Sequence, residues 1–185
     1  MKIVIAVTGG IAAYKVPSII SGLRKAIQDD GNTNPEVHVI TTENALKFVT
    51  ETTLMTSANQ YINADMVQNP VIMHQNPSHI TLSEIANMFI VVPATANIVG
   101  KIANGIADDL VTSTVMALSS STKKIICPSM NTRMMDNVAM KRNIFTLIQD
   151  GWKIIEPISG KLACGTVGRG KLAKTRDIVR QILED

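Results

Sequence analysis

A chain of 185 residues has room for one ordinary domain with a full core and is short for two. With 45% apolar and 18% charged residues it is neither disordered nor fibrous, and it suits a globular α/β protein. The net charge of +3 comes from basic residues spread along the chain, and aromatics are only 3%; nucleic-acid binders concentrate basic residues in a stripe and stack bases on aromatic rings, so none is expected as a partner.

The amino-terminal MKIVIAVTGG has a short apolar run that leads straight into Gly9-Gly10 with no cleavage-type segment, and it reads as a first strand rather than a secretory leader. No stretch approaches the roughly 20 apolar residues of a membrane span, and two cysteines make no disulfide framework. The expectation is a cytoplasmic protein with no membrane partner.

Taken in chain order, short apolar β-branched runs alternate with helical patterns. The runs are Ile3–Val7, Val37–Thr41, Met88–Val92, Lys124–Cys127 and Trp152–Ile155. They are nearly continuous in apolar character, as parallel strands covered on both faces should be. Helical spacing predicts helices at Ala12–Gln28, Asn97–Asn104, Leu110–Leu118, Val138–Gln149 and Thr175–Leu183. Thr175 is the expected N-cap of the last, with Asp177 in its first turn. Residues 51–80 show the least periodicity, and a short edge strand with loops is expected there. No linker or repeat divides the chain, so residues 1–185 form a single domain in this reading. The fold class is α/β, a single doubly wound, flavodoxin- or Rossmann-like parallel sheet with helices on both faces.

Such sheets bind ligands beyond the carboxyl ends of their strands. The residues that follow the runs are Thr8-Gly9-Gly10-Ile11, Thr42-Glu43-Asn44, Pro93-Ala94-Thr95-Ala96-Asn97 and Pro128-Ser129-Met130-Asn131. Small and hydrogen-bonding residues thus recur at one rim. Gly9-Gly10 suits an anion at a helix start, although a plain strand-to-helix turn uses glycine too. It lacks the G-x-G-x-x-G spacing of a dinucleotide site. Gly165 to Lys171 fits G-x-x-x-x-G-K, but Leu172 stands where a nucleoside-triphosphate loop needs Ser or Thr, and the segment lies near the end of the chain. His38, His74 and His79 have no partners at metal-ligand spacing, and no metal is expected. His38 reads as packed in a strand and His74 as solvated in a loop. His79 opens a helix before the third run, where it is either structural or turned to the ligand rim. Cys127 reads as a small buried residue. Cys164 lies in a glycine-rich stretch, where Arg169 and Lys171 could acidify it or bind an anion, or where it is an incidental surface thiol.

Four segments in order resemble the homo-oligomeric flavin-containing cysteine decarboxylases. They are Gly9 to Lys15; His79-Ile80 with Ala86-Asn87-Met88 and Pro93 to Lys101; Pro128 to Met134; and Leu162-Ala163-Cys164-Gly165 with Gly168 and Gly170. The resemblance implies FMN as cofactor, its phosphate and ribityl chain held by Gly9, Gly10, Ile11, Thr42 and Asn44. Ala94, Thr95, Ala96, Asn97 and Ser129 would line its ring. His79 would be the active-site base, and Asn131 with Met134 would grip the substrate carboxylate. Ala163 and Gly165 would touch substrate, and Cys164 would donate a proton from a clamp loop at about 160–174. The implied reaction turns 4′-phosphopantothenoylcysteine into 4′-phosphopantetheine through thioaldehyde and enethiol intermediates, as a step towards coenzyme A.

Within that family the Pro-x-Met-Asn-x-x-Met segment is usually followed by Trp, where this chain has Met135. The clamp usually carries an acidic residue after Ala-Cys-Gly and a Met near its end, where Thr166 and Leu172 stand here. The resemblance further implies a trimer or a dodecamer of trimers, with the flavin between subunits and the Asn131 segment reaching a neighbour's cofactor. A separate synthetase would supply the substrate. The competing readings are a peptidyl-cysteine decarboxylase of the lantibiotic type, an FMN-binding regulatory protein without turnover, and a flavin prenyltransferase.

Overall fold

The computed structural model describes residues 1–29, 31, 35–58, 60–62 (backbone only) and 78–184. His74 lies outside the described residues. Among the described residues, six parallel strands form the main sheet: β1 (Lys2–Val7), β2 (Glu36–Thr41), β3 (Gln60–Ile62), β4 (Met88–Ala94), β5 (Lys123–Pro128) and β6 (Trp152–Ile154). Their spatial order is β3-β2-β1-β4-β5-β6, the doubly wound Rossmann order.

The period of two in each strand divides its side chains between two cores. Ile3, Ile5 and Val7 of β1 enter one core, and Val4 and Ala6 enter the other. In β5 the same alternation sends Ile125 and Cys127 one way and Ile126 the other. The first core is covered by α1 (Val16–Asp29), α2 (Glu51–Ser57) and the last helix of the chain, α8 (Thr175–Leu183). Val16, Ile19, Ile20, Leu23 and Ile27 of α1 fall on one helical stripe, and all are buried. The second core is covered by α3 (Ser78–Ile85), α4 (Ala96–Ala103), α5 (Leu110–Ala117) and α7 (Val138–Gln149). Phe89 of β4 is fully buried there, edge-on to Trp152 with ring centroids 6.5 Å apart. A five-residue helix, α6 (Thr132–Asp136), precedes α7, and β7 (Ile158–Lys161) with β8 (Val167–Lys171) makes a separate antiparallel hairpin.

Several elements differ from the sequence expectation. β4 runs on through Ala94, with a register shift between Val91 and Ala94. Pro93 has no N–H for the ladder, and the shift turns Ala94 into the second core beside Val91. The helix expected at Ala12–Gln28 divides into a 3-10 turn, Ile11–Lys15, and α1. Residues 51–57 form a helix and not a loop. Thr50 caps it by accepting from the Thr53 N–H at 3.2 Å, and Leu54 alone is buried, so no periodicity betrayed it. The edge strand expected nearby is β3. Thr175 is the first helical residue of α8, and Lys174 is the N-cap without a side-chain bond; Asp177 does lie in the first turn, where it favours the helix dipole. The clamp expected to be a loop is largely the β7–β8 hairpin. Its glycines concealed the strands because glycine carries little strand propensity.

Phe89→Ala should lower the unfolding free energy by about 3–5 kcal/mol, read from urea titration at constant m-value.

Candidate functional site

A cavity of about 1050 Å³ opens at the carboxyl ends of the central strands and beneath the hairpin. It lies where the strand order reverses, between β1 and β4, which is the ligand crevice of doubly wound sheets. Thr8 is buried at that point. Its hydroxyl donates to the Pro93 carbonyl at 2.6 Å and accepts from the Thr95 N–H at 3.1 Å. One side chain therefore ties the ends of two strands whose chains then leave for opposite faces.

Gly9 and Gly10 line the wall above Thr8. A Cβ on Gly9 would stand 2.5 Å from Asn44 Cβ and 2.9 Å from its carbonyl carbon, so only glycine lets the turn after β2 close over it. Gly10 has ordinary clearance, 3.5 Å to Thr95. Thr42, Glu43 and Asn44 continue this wall, with the Lys47 ammonium donating to Asn44 Oδ1 at 2.7 Å. Opposite, Thr95 caps α4 by accepting from the Ile98 N–H at 3.3 Å, and Ala96 and Asn97 expose the first turn to the cavity.

Lys101 and Asp109 also line the cavity. The Lys101 ammonium donates to Asp108 at 2.6 Å and to Asp109 at 3.1 Å, and this raises its pKa, the Asp108 bond contributing most. Asp109 meanwhile caps α5 through the Thr112 N–H at 2.8 Å. The pair is therefore a fixed part of the wall.

The far wall comes from α6 and the hairpin, which meet through the glycine backbone of β8. Gly170 sits at φ +132°, and a Cβ there would fall 2.0 Å from the Met130 carbonyl oxygen. A Cβ on Gly168 would lie 2.3 Å from Thr132 Oγ1. The Met130 N–H donates to the Gly170 carbonyl at 3.0 Å, and Thr132 Oγ1 donates to the Arg169 carbonyl at 2.8 Å. Gly168 and Gly170 of the Gly165–Lys171 string thus serve packing of the hairpin against α6 and the loop before it. Met135 is buried against Gly170, where an adaptable apolar side chain fills the space. Leu172 is buried in the first core, at the edge of the cavity.

This docking brings Cys164 to Asn131. Asn131 Oδ1 accepts from the Arg133 N–H at 2.8 Å, capping α6, and Nδ2 donates to Cys164 Sγ at 3.1 Å. Thr166 Oγ1 lies 3.1 Å from the same sulfur. The Cys164 pKa is lowered, first by the Thr166 hydroxyl, then by the Thr166 backbone N–H and the Asn131 amide. Cys127, fully buried, has its pKa pushed far up by desolvation.

Gly9, Gly10, Ile11, Thr42, Asn44, Thr95, Ala96, Asn97, Ser129, Asn131, Met134, Ala163 and Cys164 all meet around this one cavity. Three expected residues do not. Ala94 is fully buried in the second core behind the wall. Gly165 turns the hairpin at φ +85° away from the cavity. His79 is half-buried in the first turn of α3 and is not among the described lining residues. Arg169 does not acidify Cys164, because its guanidinium is paired with Glu156. Sequence reading missed Tyr14, Lys161 and the Lys101–Asp109 pair as wall residues. Only the first could have been suspected, as an aromatic one turn beyond Gly10.

A family model described as Flavoprotein matches residues 1–185. A probable phosphopantothenoylcysteine decarboxylase from Streptococcus mutans is 37% identical over 99% of this chain and 97% of its own length. The coenzyme A biosynthesis bifunctional protein CoaBC of Bacillus subtilis is 42% identical over 97% of this chain, which spans 41% of that protein's length. Among solved structures, a cysteine-to-serine mutant of PPC decarboxylase complexed with pantothenoylaminoethenethiol superposes with a TM-score of 0.86 at 26% identity, covering 99% of this chain and 96% of that one. The FMN-dependent cysteine decarboxylase SpaF gives 0.81 at 26% identity, covering 100% and 96%. The chain belongs to the flavoprotein family, in its phosphopantothenoylcysteine decarboxylase branch.

Gly170→Ala should loosen the hairpin. Opening it by about 1.4 kcal/mol raises cleavage tenfold where cleavage follows the open population, so trypsin should cut after Lys161 and Lys171 about tenfold faster, as read by peptide mass.

Proposed function

We propose that the cavity binds FMN and that the chain uses it to decarboxylate 4′-phosphopantothenoylcysteine to 4′-phosphopantetheine. The observation that carries this is the meeting of the Gly9 wall with the Asn131–Cys164 pair in one cavity large enough for cofactor and substrate together. The lining fits the cofactor: bare backbone at Gly9, hydroxyl and amide groups at Thr42, Asn44 and Thr95, and a mainly small, neutral wall at Ala96 and Ser129. FMN, when bound, supplies the two-electron oxidation that gives the cysteine an electron sink for losing carbon dioxide, and the hydride that afterwards reduces the enethiol.

The chain's residues position and protonate. Asn131 Nδ2 has two hydrogens; one is on Cys164 and the second is free for the substrate carboxylate. A neutral amide orients that carboxylate without an added charge that would hold it back. Cys164, exposed at the cavity edge with a lowered pKa, is the acid that protonates carbon as the saturated thiol forms. The structural neighbour with a bound aminoethenethiol is a cysteine-to-serine mutant, consistent with a thiol that acts after the enethiol stage. Gly165 acts by setting the turn that presents Cys164 and not by touching substrate.

His79 completes the site as the base if it reaches a neighbouring subunit's cavity, since it lies outside its own. Val138, Phe145 and Ile148 of α7 are large apolar residues left exposed on the single chain, and a trimer, or a dodecamer of trimers, would cover such surface. A synthetase activity would supply the substrate, in keeping with a relative that is bifunctional and more than twice as long. The chain acts in the cytoplasm; among the described residues no helix is long and apolar enough to cross a membrane.

The purified protein should show a flavin band that bleaches with 4′-phosphopantothenoylcysteine, and mass spectrometry should show loss of carbon dioxide to the saturated thiol. Cys164→Ser should still release carbon dioxide but accumulate the enethiol. Turnover of peptides with a carboxyl-terminal cysteine, and not of the pantothenoyl substrate, would instead identify a lantibiotic-type enzyme; FMN binding without any turnover would identify a regulatory protein. If His79 and Cys164 act from different subunits, mixing inactive His79→Asn with Cys164→Ser should restore part of the full reaction. Sedimentation should give a trimer or dodecamer.

A further inference from the structure

Thr166 has no place in the reaction as so far described, yet its hydroxyl is one of two side-chain groups within hydrogen-bonding distance of the Cys164 sulfur. The turn that holds it there is closed at both ends. The Leu162 N–H donates to the Thr166 carbonyl at 2.8 Å, and the Gly165 N–H donates to the Leu162 carbonyl at 2.9 Å. Residues 162–166 are thereby drawn into one tight loop, with Gly165 at φ +85° supplying the left-handed step. The sulfur and the hydroxyl are two residues apart on that loop, so their contact follows from its backbone path. The Asn131 amide reaches the sulfur from a different element, α6.

We infer that Thr166 is a positioning residue for the acid step, its hydroxyl and the Asn131 amide forming a two-donor cradle that receives the Cys164 sulfur as a thiolate. The inference rests on the decarboxylase reading for its role in turnover. When the acid acts, the S–H bond breaks, the proton goes to the substrate carbon and the electron pair stays on sulfur. No oxidation state changes at this residue. The hydroxyl, free to rotate, then donates to the anion, and Nδ2 already does. Hydrogen bonds to the charged form favour it, so the cradle makes Cys164 a stronger acid. A carboxylate at position 166 would have no proton to donate and would repel the thiolate. The charged side chains that share the cavity with the sulfur are Lys15, Glu43, Lys101, Asp109, Lys161 and Lys171. Lys101 is committed to Asp108 and Asp109, and the acidity of Cys164 comes from hydrogen bonds rather than from any of these charges.

The test is the pH dependence of Cys164 alkylation by iodoacetamide in the FMN-loaded full chain, followed by peptide mass, with buried Cys127 as the unreactive internal control. Its midpoint is the readout, because a thiolate's intrinsic reactivity changes with its pKa. Wild type should titrate below the ordinary cysteine value of about 8.5. Thr166→Val, which keeps the shape and removes the hydroxyl, should raise the midpoint by about 0.5–1 unit, lowering the thiolate fraction at neutral pH about three- to tenfold. Thr166→Ser should restore it, and Thr166→Ala should match valine if bulk is not the cause. With substrate, Thr166→Val should release carbon dioxide normally and accumulate more enethiol than wild type at pH below the wild-type midpoint. There both thiols are protonated and wild type is the stronger acid, and the excess should shrink as pH rises. An unmoved midpoint in both Thr166→Val and Thr166→Ala, or a serine variant that behaves like valine, would overturn the inference. Alkylation needs no substrate, so an absence of turnover in wild type would sink the decarboxylase reading and leave the role of Thr166 at the sulfur to be judged separately.

Discussion

The cavity exists because β1 and β4 are neighbours that send their chains to opposite faces of the sheet. β1 leads to α1 over the first core, and β4 leads to α4 over the second. Two strand ends that part in this way leave a crevice with unpaired backbone groups on both sides. Thr8 meets that need with one buried hydroxyl, bonded as donor to Pro93 and as acceptor to Thr95. Everything on the near wall is then placed by strand endings, which the two packed cores hold rigid. A ligand there meets preorganised backbone, and little ordering entropy remains for binding to overcome.

The far wall is built on another principle. β7 packs half-buried Ile158 against the first core, and beyond that contact the hairpin is held by close approach of its glycine backbone to the loop before α6 and to the first residue of that helix. Such contacts are short-ranged, and they are lost together if the backbones separate. The consequence is that Cys164 is mounted on an element outside the main sheet. Asn131 joins the two parts of the far wall, since it caps α6 with one end of its amide and holds the hairpin's sulfur with the other.

The electrostatics follow the same division. On the rigid side the Lys101 charge is taken up by its two aspartates. On the hairpin side the thiol is acidified by neutral donors, in a place open to solvent. Neutral donors act over a single contact distance, so their effect vanishes when the hairpin moves away, whereas a nearby charge would act through several ångströms of water and protein. The thiol is thereby most acidic when the far wall is docked.

Much of this was legible in the sequence. Strands buried on both faces announce themselves as apolar β-branched runs, and the amphipathic stripe of α1 is plain at Val16, Ile19, Ile20, Leu23 and Ile27. Because strand ends in such a sheet converge, the residues after each run could be named as a rim, and nearly all of them are. Residues whose place depends on contact with a distant element were not legible. Ala94 looked like a rim residue, and a register shift at Pro93 turned it into the core. Helix α2 had too few apolar residues to show a period, and β7 and β8 were masked by glycines that their packing requires. The sequence by itself determined the sheet, its two covered faces and the composition of the rim, since these arise from local periodicity and hydrophobic burial. Only the tertiary structure decided that Asn131, Cys164 and Thr166 share one sulfur, that Arg169 does not, and that His79 lies outside its own cavity, because those facts depend on how separate elements dock.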